Sequence, residues 1–216
     1  MSPGHEGRKW DSHQDARLSI EKYFQDLSAL VPQLPYAAIS RIVSVLLQAF
    51  EEQRTVFVFG NGGSAASASH MMCDLNKGTV DLNNNTRPKV MALTDNVSLI
   101  SAWANDFGYE RIFSEQLKTF VQPRDVAFAI STSGDSPNVL LALETAREHG
   151  AVTMGLAGCE GGQMQALCDV CAVVPSDNVQ IIEDLHHAMM HSIFTAVRES
   201  FLTGTAKAPL ARAASF

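Results

Sequence analysis

No stretch of this sequence stays apolar over the roughly 20 residues that a membrane-crossing helix requires. No basic stripe runs along it either, and its formal net charge is −7. The first absence sets aside a membrane span and the second a general nucleic-acid binder. The N-terminal segment MSPGHEGRKWDSHQDAR is polar and has no apolar h-region, so no secretory signal is expected. Cysteines are few, and Cys73, Cys159, Cys168 and Cys171 make no regular framework. Cys168 and Cys171 form a CxxC, but no second pair supports a zinc knuckle and Cys171 opens an apolar run, so a structural role is expected. A reducing cytoplasm is the simplest home for such a chain. Two phosphate-binding signatures are also missing. The glycines run GNGGSA rather than GxGxxG, and no lysine follows them as in a phosphate loop.

What is present is ordinary in bulk: 216 residues, 46% hydrophobic and 18% charged, with no internal repeat and no linker. Those figures fit one globular domain. The organising stretch is Thr55 to Asn76, TVFVFGNGGSAASASHMMCDLN. A short buried-type strand, Val56 to Phe59, leads into a glycine turn and then a small-residue helix. The turn Gly60-Asn61-Gly62-Gly63 and Ser64 open that helix where free N–H groups and the helix dipole favour an anion. A tight strand-to-helix turn without a ligand has the same pattern.

Before it, Ala16 to Leu30 and Ala37 to Glu52 have helical spacing, and the second is too apolar to face water alone. After it, Lys77 to Lys89 reads as a polar loop with Asn83-Asn84-Asn85. Val90 to Leu93 reads as a strand, and Asp95 to Ala104 as a helix capped by Asp or Thr. Asn105-Asp106-Phe107-Gly108 reads as a break before helix resumes at Tyr109 to Phe120. Asp125 to Ile130 is a third strand, followed by Ser131-Thr132-Ser133-Gly134-Asp135-Ser136 and a helix opened by Pro137 and stopped by Gly150. Ala151 to Leu156 and Val170 to Val174 are further strands flanking a short helix, Met164 to Leu167, and Val179 to Leu202 is a long closing helix. Strands alternating with helices predict an α/β protein, a mainly parallel sheet with helices on both faces and ligands bound beyond the carboxyl ends of the strands. Residues 1–15 and 205–216 are expected to be flexible, leaving 16–204 as the single domain.

Two constellations carry chemistry. In Ser131 to Ser136, hydroxyls surround a glycine just before a helix, a pattern that encircles a phosphate without Lys or Arg and equally that of a turn with Ser136 as N-cap. The second joins two helices. His70 and Asp74 share one helix face, and Glu183, His187 and His191 share another at i, i+4 and i+8. Two histidines and two carboxylates suit Zn²⁺ or a similar divalent ion; a wet helix face with incidental histidines gives the same spacing.

GNGGSA, STSGDS, the ANDFG segment and a final helix carrying His191 together resemble the sugar isomerase (SIS) domain family, over about residues 16 to 200. His70, on the helix after the glycine turn, plus His191 on the last helix resembles its phosphoheptose isomerase branch. The resemblance implies a doubly wound, five-stranded parallel sheet in flavodoxin-like order, with two N-terminal helices and a long C-terminal one. It implies homotetramers with active sites between subunits. Ser131, Thr132, Ser133 and Ser136 would hold a phosphate. Asn61, Gly62, Gly63, Ser64 and Glu183 would meet the sugar, with Asp106 at its hydroxyls. Zinc, or another divalent metal, would be held by His70, Asp74, Glu183 and His191.

The implied activity is a metal-assisted aldose–ketose isomerisation of a ketose phosphate such as sedoheptulose 7-phosphate, through an enediolate. Asp74 would move the carbon-bound proton and His191 would act at the oxygens. Asp74 stands where the family usually has Glu, Glu183 where it has Gln, and Gln180 where it has Asp. His187 falls between Glu183 and His191 and is open as a replacement ligand. The alternative is a non-catalytic SIS protein that senses a sugar phosphate or binds a partner, as in the branch associated with a replication initiator; amino-sugar phosphate isomerisation and etherase chemistry rank below it. Retention of both His70 and His191 favours the enzyme.

Overall fold

The computed structural model describes residues 13–79 and 87–203. The two N-terminal helices are α1, His13–Leu30, and α2, Tyr36–Glu51. There follow β1 (Thr55–Gly60), α3 (Gly63–Gly78), β2 (Lys89–Ala92), α4 (Val97–Phe107) and α5 (Ser114–Phe120). The second half runs β3 (Val126–Ser131), α6 (Pro137–Glu148), β4 (Val152–Ala157), α7 (Met164–Leu167), β5 (Val170–Val173) and α8 (Val179–Thr203). The strands form one five-stranded sheet in the order β2-β1-β3-β4-β5, and every pairing is parallel. This is the doubly wound arrangement expected from the alternation of elements.

Strand residues alternate between two cores. Val56, Val58, Phe128, Ile130, Met154 and Leu156 pack with α2, α3 and α8 on one face. Phe57, Phe59, Ala127 and Ala129 pack with α5, α6 and α7 on the other. Bulk is balanced across the register: Phe57 pairs with Ala127 and Phe59 with Ala129, while Val58 pairs with Phe128. The apolar α2 is used as its composition requires, with Ile42, Leu46 and Phe50 fully covered. Among the described residues no single helix is long and apolar enough to cross a membrane.

Several boundaries differ from the sequence reading. Helix α1 begins at His13, so residues 13–15 are not part of a loose terminus; 1–12 and 204–216 lie outside the described residues. Lys77 and Gly78 complete α3 rather than opening a loop, and the asparagine run lies outside the described residues. The cap of α4 is Asn96, whose Oδ1 accepts the Leu99 N–H at 3.0 Å, not Asp95 or Thr94. Asn105, Asp106 and Phe107 are the last residues of α4. Only Gly108, at φ +101°, leaves the helical path.

Beside β5, Cys168 Sγ fills the space over Gly155, the residue paired with Cys171 in the sheet. Cys168 and Cys171 are both free, and the hydrogen bond between their thiols drives Cys168 upward from the ordinary thiol pKa and Cys171 downward.

Candidate functional site

Because all strands are parallel, the turns after β1 and β3 lie at the same edge of adjacent strands, and α8 crosses beside them. The β3–α6 turn is buttressed from several sides. Ser131 Oγ accepts the Gly134 N–H at 3.2 Å, and Ser133 Oγ accepts the Asp135 N–H at 3.2 Å. Asp135 Oδ1 accepts the Gln163 N–H at 2.9 Å, and the Met164 N–H donates to the Gly134 carbonyl at 2.9 Å. Gly134 adopts φ +69°, and a Cβ there would run into the Gly161 carbonyl, so the turn requires glycine. Ser136 occupies the N-cap of α6 but its side chain makes no cap hydrogen bond. Its Oγ instead lies 3.5 Å from Ser131 Oγ. The Ser131 and Ser136 hydroxyls therefore face one another at an uncapped helix N-terminus, an environment that favours an anion.

The β1–α3 turn is different. Gly60 is fixed by contact: a Cβ would stand 2.6 Å from the Ile130 carbonyl oxygen. Gly62 holds φ +54°. At Gly63, the first residue of α3, a Cβ would stand 2.5 Å from Glu183 Oε1. The anion at this helix N-terminus is thus the chain's own Glu183 carboxylate, brought from α8. Asn61 faces the other turn. Its amide exchanges two 2.8 Å hydrogen bonds with Asn138 of α6, and the Tyr109 hydroxyl donates to Asn61 Oδ1 at 3.1 Å. Asn61, Ser136 and Asn138 line a cleft of about 280 Å³ with Tyr109, Glu110 and Pro137. Ser64 is buried at the head of α3. Asp106 lies exposed on the last turn of α4, where its Oδ1 accepts a 2.7 Å hydrogen bond from the neighbouring Asn105.

The third component lies between α3 and α8. Asp74 Oδ2 stands 3.5 Å from His70 Nε2 and 3.9 Å from His191 Nε2. One ligand atom from each of His70, Asp74 and His191 falls within 4.8 Å of the others. Two imidazoles and one carboxylate that leave a position open are the donor set of a catalytic zinc site, so these residues fit a divalent ion. Glu183 does not belong to this group; it stands over Gly63 instead. His187 packs against both histidines, with ring centroids 5.4 Å from His70 and 5.8 Å from His191.

Two polar contacts add to the core packing of α8. The His186 imidazole lies 3.0 Å from the Ala157 carbonyl, to which its Nε2–H donates at the end of β4, and burial pushes its pKa down to about 4. The Tyr23 hydroxyl donates to Asp184 at 2.7 Å, tying α1 to α8, and this bond raises the phenol to about 12.

Sequence reasoning missed Asn138, Tyr109 and Ser67. Asn138 sits one residue after the proline that opens α6, and Ser67 lies three residues before His70 on α3, which gives a shared-face signal. Tyr109 has none, because its reach to Asn61 depends on how α4 ends.

The sequence profile of the SIS domain matches residues 22–158. The chain belongs to the SIS domain family. The phosphoheptose isomerase of Trichlorobacter lovleyi is 36% identical over 185 residues, covering 83% of this chain and 92% of that one. The structure of the Francisella tularensis phosphoheptose isomerase aligns with a TM-score of 0.79 at 29% identity, over 85% of this chain and 98% of that one. The Neisseria gonorrhoeae phosphoheptose isomerase aligns with the same TM-score at 25% identity, over 87% of this chain and all of that one. Within the SIS family, this chain therefore sits on the phosphoheptose isomerase branch and is an isomerase.

Proposed function

We propose that this isomerase interconverts sedoheptulose 7-phosphate, or a closely related ketose phosphate, with an aldoheptose 7-phosphate. The observation that carries the reading is the convergence of His70, Asp74 and His191 between α3 and α8, in a chain of this family that also carries an uncapped hydroxyl turn after β3. The turn from Ser131 to Ser136 would hold the phosphate, distant from the reacting carbons. Asn61, Gly62, Gly63, Ser64 and Asp106 are proposed contacts for the sugar, and Glu183 reaches the same turn at Gly63.

For the chemistry, Asp74 Oδ2 faces the two imidazoles, and Oδ1 is proposed to take the proton from C1 of the ketose and return it to C2. His191 moves the hydroxyl proton between O1 and O2. A divalent ion held by His70, Asp74 and His191 would supply Lewis-acid polarisation of the carbonyl oxygen. Glu183, outside that group, is read as a substrate contact rather than a ligand.

The proposal extends to assembly as a homotetramer with active sites between subunits. Leu18, Ile20 and Phe24 on α1 keep 58–61% of their surface exposed, and Val97 on α4 keeps 72%. Apolar side chains this open on two helices support burial against other copies. Asp106 would then complete its site from an exposed helix.

Turnover of sedoheptulose 7-phosphate by the purified protein tests the reading, measured with added Zn²⁺, with chelator, and in His191→Ala. Metal-dependent turnover lost in the variant is expected. Bound metal without turnover would redirect the proposal to other ketose phosphates. No metal and no turnover would replace it with a sugar-phosphate sensor.

A further inference from the structure

His187 of α8 stands between two residues of α3. Its Nε2 lies 3.3 Å from His70 Nδ1, and its Nδ1 lies 3.3 Å from Ser67 Oγ. Both of its nitrogens are thus engaged by protein groups, and it is not one of the three residues whose ligand atoms converge. His70 presents its opposite nitrogen, Nε2, to Asp74. A nitrogen that gives its lone pair to a cation carries no proton, so a neutral His70 in that role carries its proton on Nδ1. This fixes the direction of each bond in the chain. His70 Nδ1–H donates to His187 Nε2, and His187 Nδ1–H donates to Ser67 Oγ. Ser67 is only 5% exposed, so bulk water does not stand in for the last acceptor. His70 itself keeps 41% of its side-chain surface, which leaves its ring free to turn unless something holds Nδ1.

We infer that His187 is a positioning residue: with Ser67 it locks His70 in the tautomer and ring orientation that aim Nε2 at a divalent ion. The affinity of the His70–Asp74–His191 group then depends on a side chain that does not touch the ion. The inference rests on the divalent site proposed above. It gives His187, which the spacing on α8 left as a replacement ligand, a different role. Partners that bond the second nitrogen of a ligating histidine are known to matter by about 10–100-fold in metal affinity.

The test is Zn²⁺ affinity by chelator competition, together with the visible absorption of the Co²⁺-loaded protein. It uses the full chain as wild type, H187L, H187Q, S67A and H191A. H187L is expected to bind Zn²⁺ about 10–100-fold more weakly. H187Q keeps an amide oxygen for His70 Nδ1–H and an amide N–H for Ser67, and is expected to recover most of that affinity with an unchanged cobalt spectrum. S67A is expected to fall between the two. Wild-type affinity in H187L overturns the inference. So does a cobalt spectrum that loses a nitrogen ligand in H187Q, because His187 would then be a ligand itself. If H187L does not fold, S67A decides: weakened binding supports the inference and wild-type binding overturns it. Metal bound by wild type, lost in H191A and indifferent to H187L sinks this inference alone. No metal in wild type sinks the divalent site with it.

Discussion

The hydroxyl turn after β3 and the histidine cluster between α3 and α8 are built by different means. In the turn, the backbone does the holding. Gly134 is wedged against Gly161, its carbonyl accepts from Met164, and Asp135 is tied to Gln163. In the cluster, side chains from two helices meet near the surface, and His70 and His191 keep 41% and 53% of their side-chain area. A site made of backbone depends on conformation, while its individual hydroxyls are partly redundant. A site made of converging side chains depends on each functional group, while the fold scarcely notices their loss. Activity and stability should therefore separate in opposite senses in the two regions.

The largest effect is expected from His191→Ala. It removes a ligating imidazole and the proposed acid–base group together, so turnover should fall by at least about 100-fold. The side chain is half exposed, so the midpoint of urea unfolding should stay close to that of wild type. Equal losses of activity and stability would erase the distinction between the regions. Gly134→Ala is the converse. A residue at φ +69° whose Cβ meets the Gly161 carbonyl is strained and crowded. A loss of about 2–4 kcal/mol in unfolding free energy is expected from urea titration. Wild-type stability would mean that the turn relaxes and is not a fixed cradle.

How much of this was legible in the sequence follows the same division. The β-branched and aromatic run at Val56 to Phe59, the proline at 137 and the glycine at 150 are local signals, and the strands and helices they predict are present. His70 and Asp74 share a face by helical periodicity, and the structure brings them to His191. For Glu183 the same logic gives the face but not the distance along it. Spacing puts it on the His187–His191 face, but one more turn of α8 carries it to the N-terminus of α3, where the helix dipole attracts its carboxylate. The sequence reads as a break at Asn105 to Gly108, yet α4, capped by Asn96, runs through Asn105 and Asp106 to Phe107 although asparagine and aspartate are poor helix formers. Asn138 and Tyr109 reach Asn61 only through the meeting of separate elements, which no local pattern records.

His186 tests the frame that both regions share. Its folded pKa lies near 4, below the unfolded value near 6.5, because burial disfavours the charged ring. The unfolded chain therefore binds the proton first as pH falls. The contribution to stability is complete above pH 6.5 and is lost progressively down to pH 4, by about 3 kcal/mol across the window. The checkable quantity is the difference in unfolding free energy between wild type and His186→Asn at several pH values, which removes the common carboxylate titration. A pH-independent difference would show that the ring is not held neutral beneath α8.

Ser133→Ala should have the smallest effect and sharpens the comparison most finely. Among the described residues its Oγ accepts only the exposed Asp135 N–H at 3.2 Å, and Asp135 is held independently by Gln163. The turn should keep its shape, with unfolding free energy changed by no more than about 0.5 kcal/mol. If the hydroxyl also donates to a phosphate, its removal deletes one hydrogen bond to a charged group, worth about 1.5 kcal/mol. That corresponds to a KM raised about tenfold. The phosphate is bound alike in ground state and transition state, so kcat should hardly move. A fall in kcat at constant KM would instead mean that Ser133 acts on the reacting end of the sugar. The assignment of the two regions to phosphate and to chemistry would then have to be exchanged.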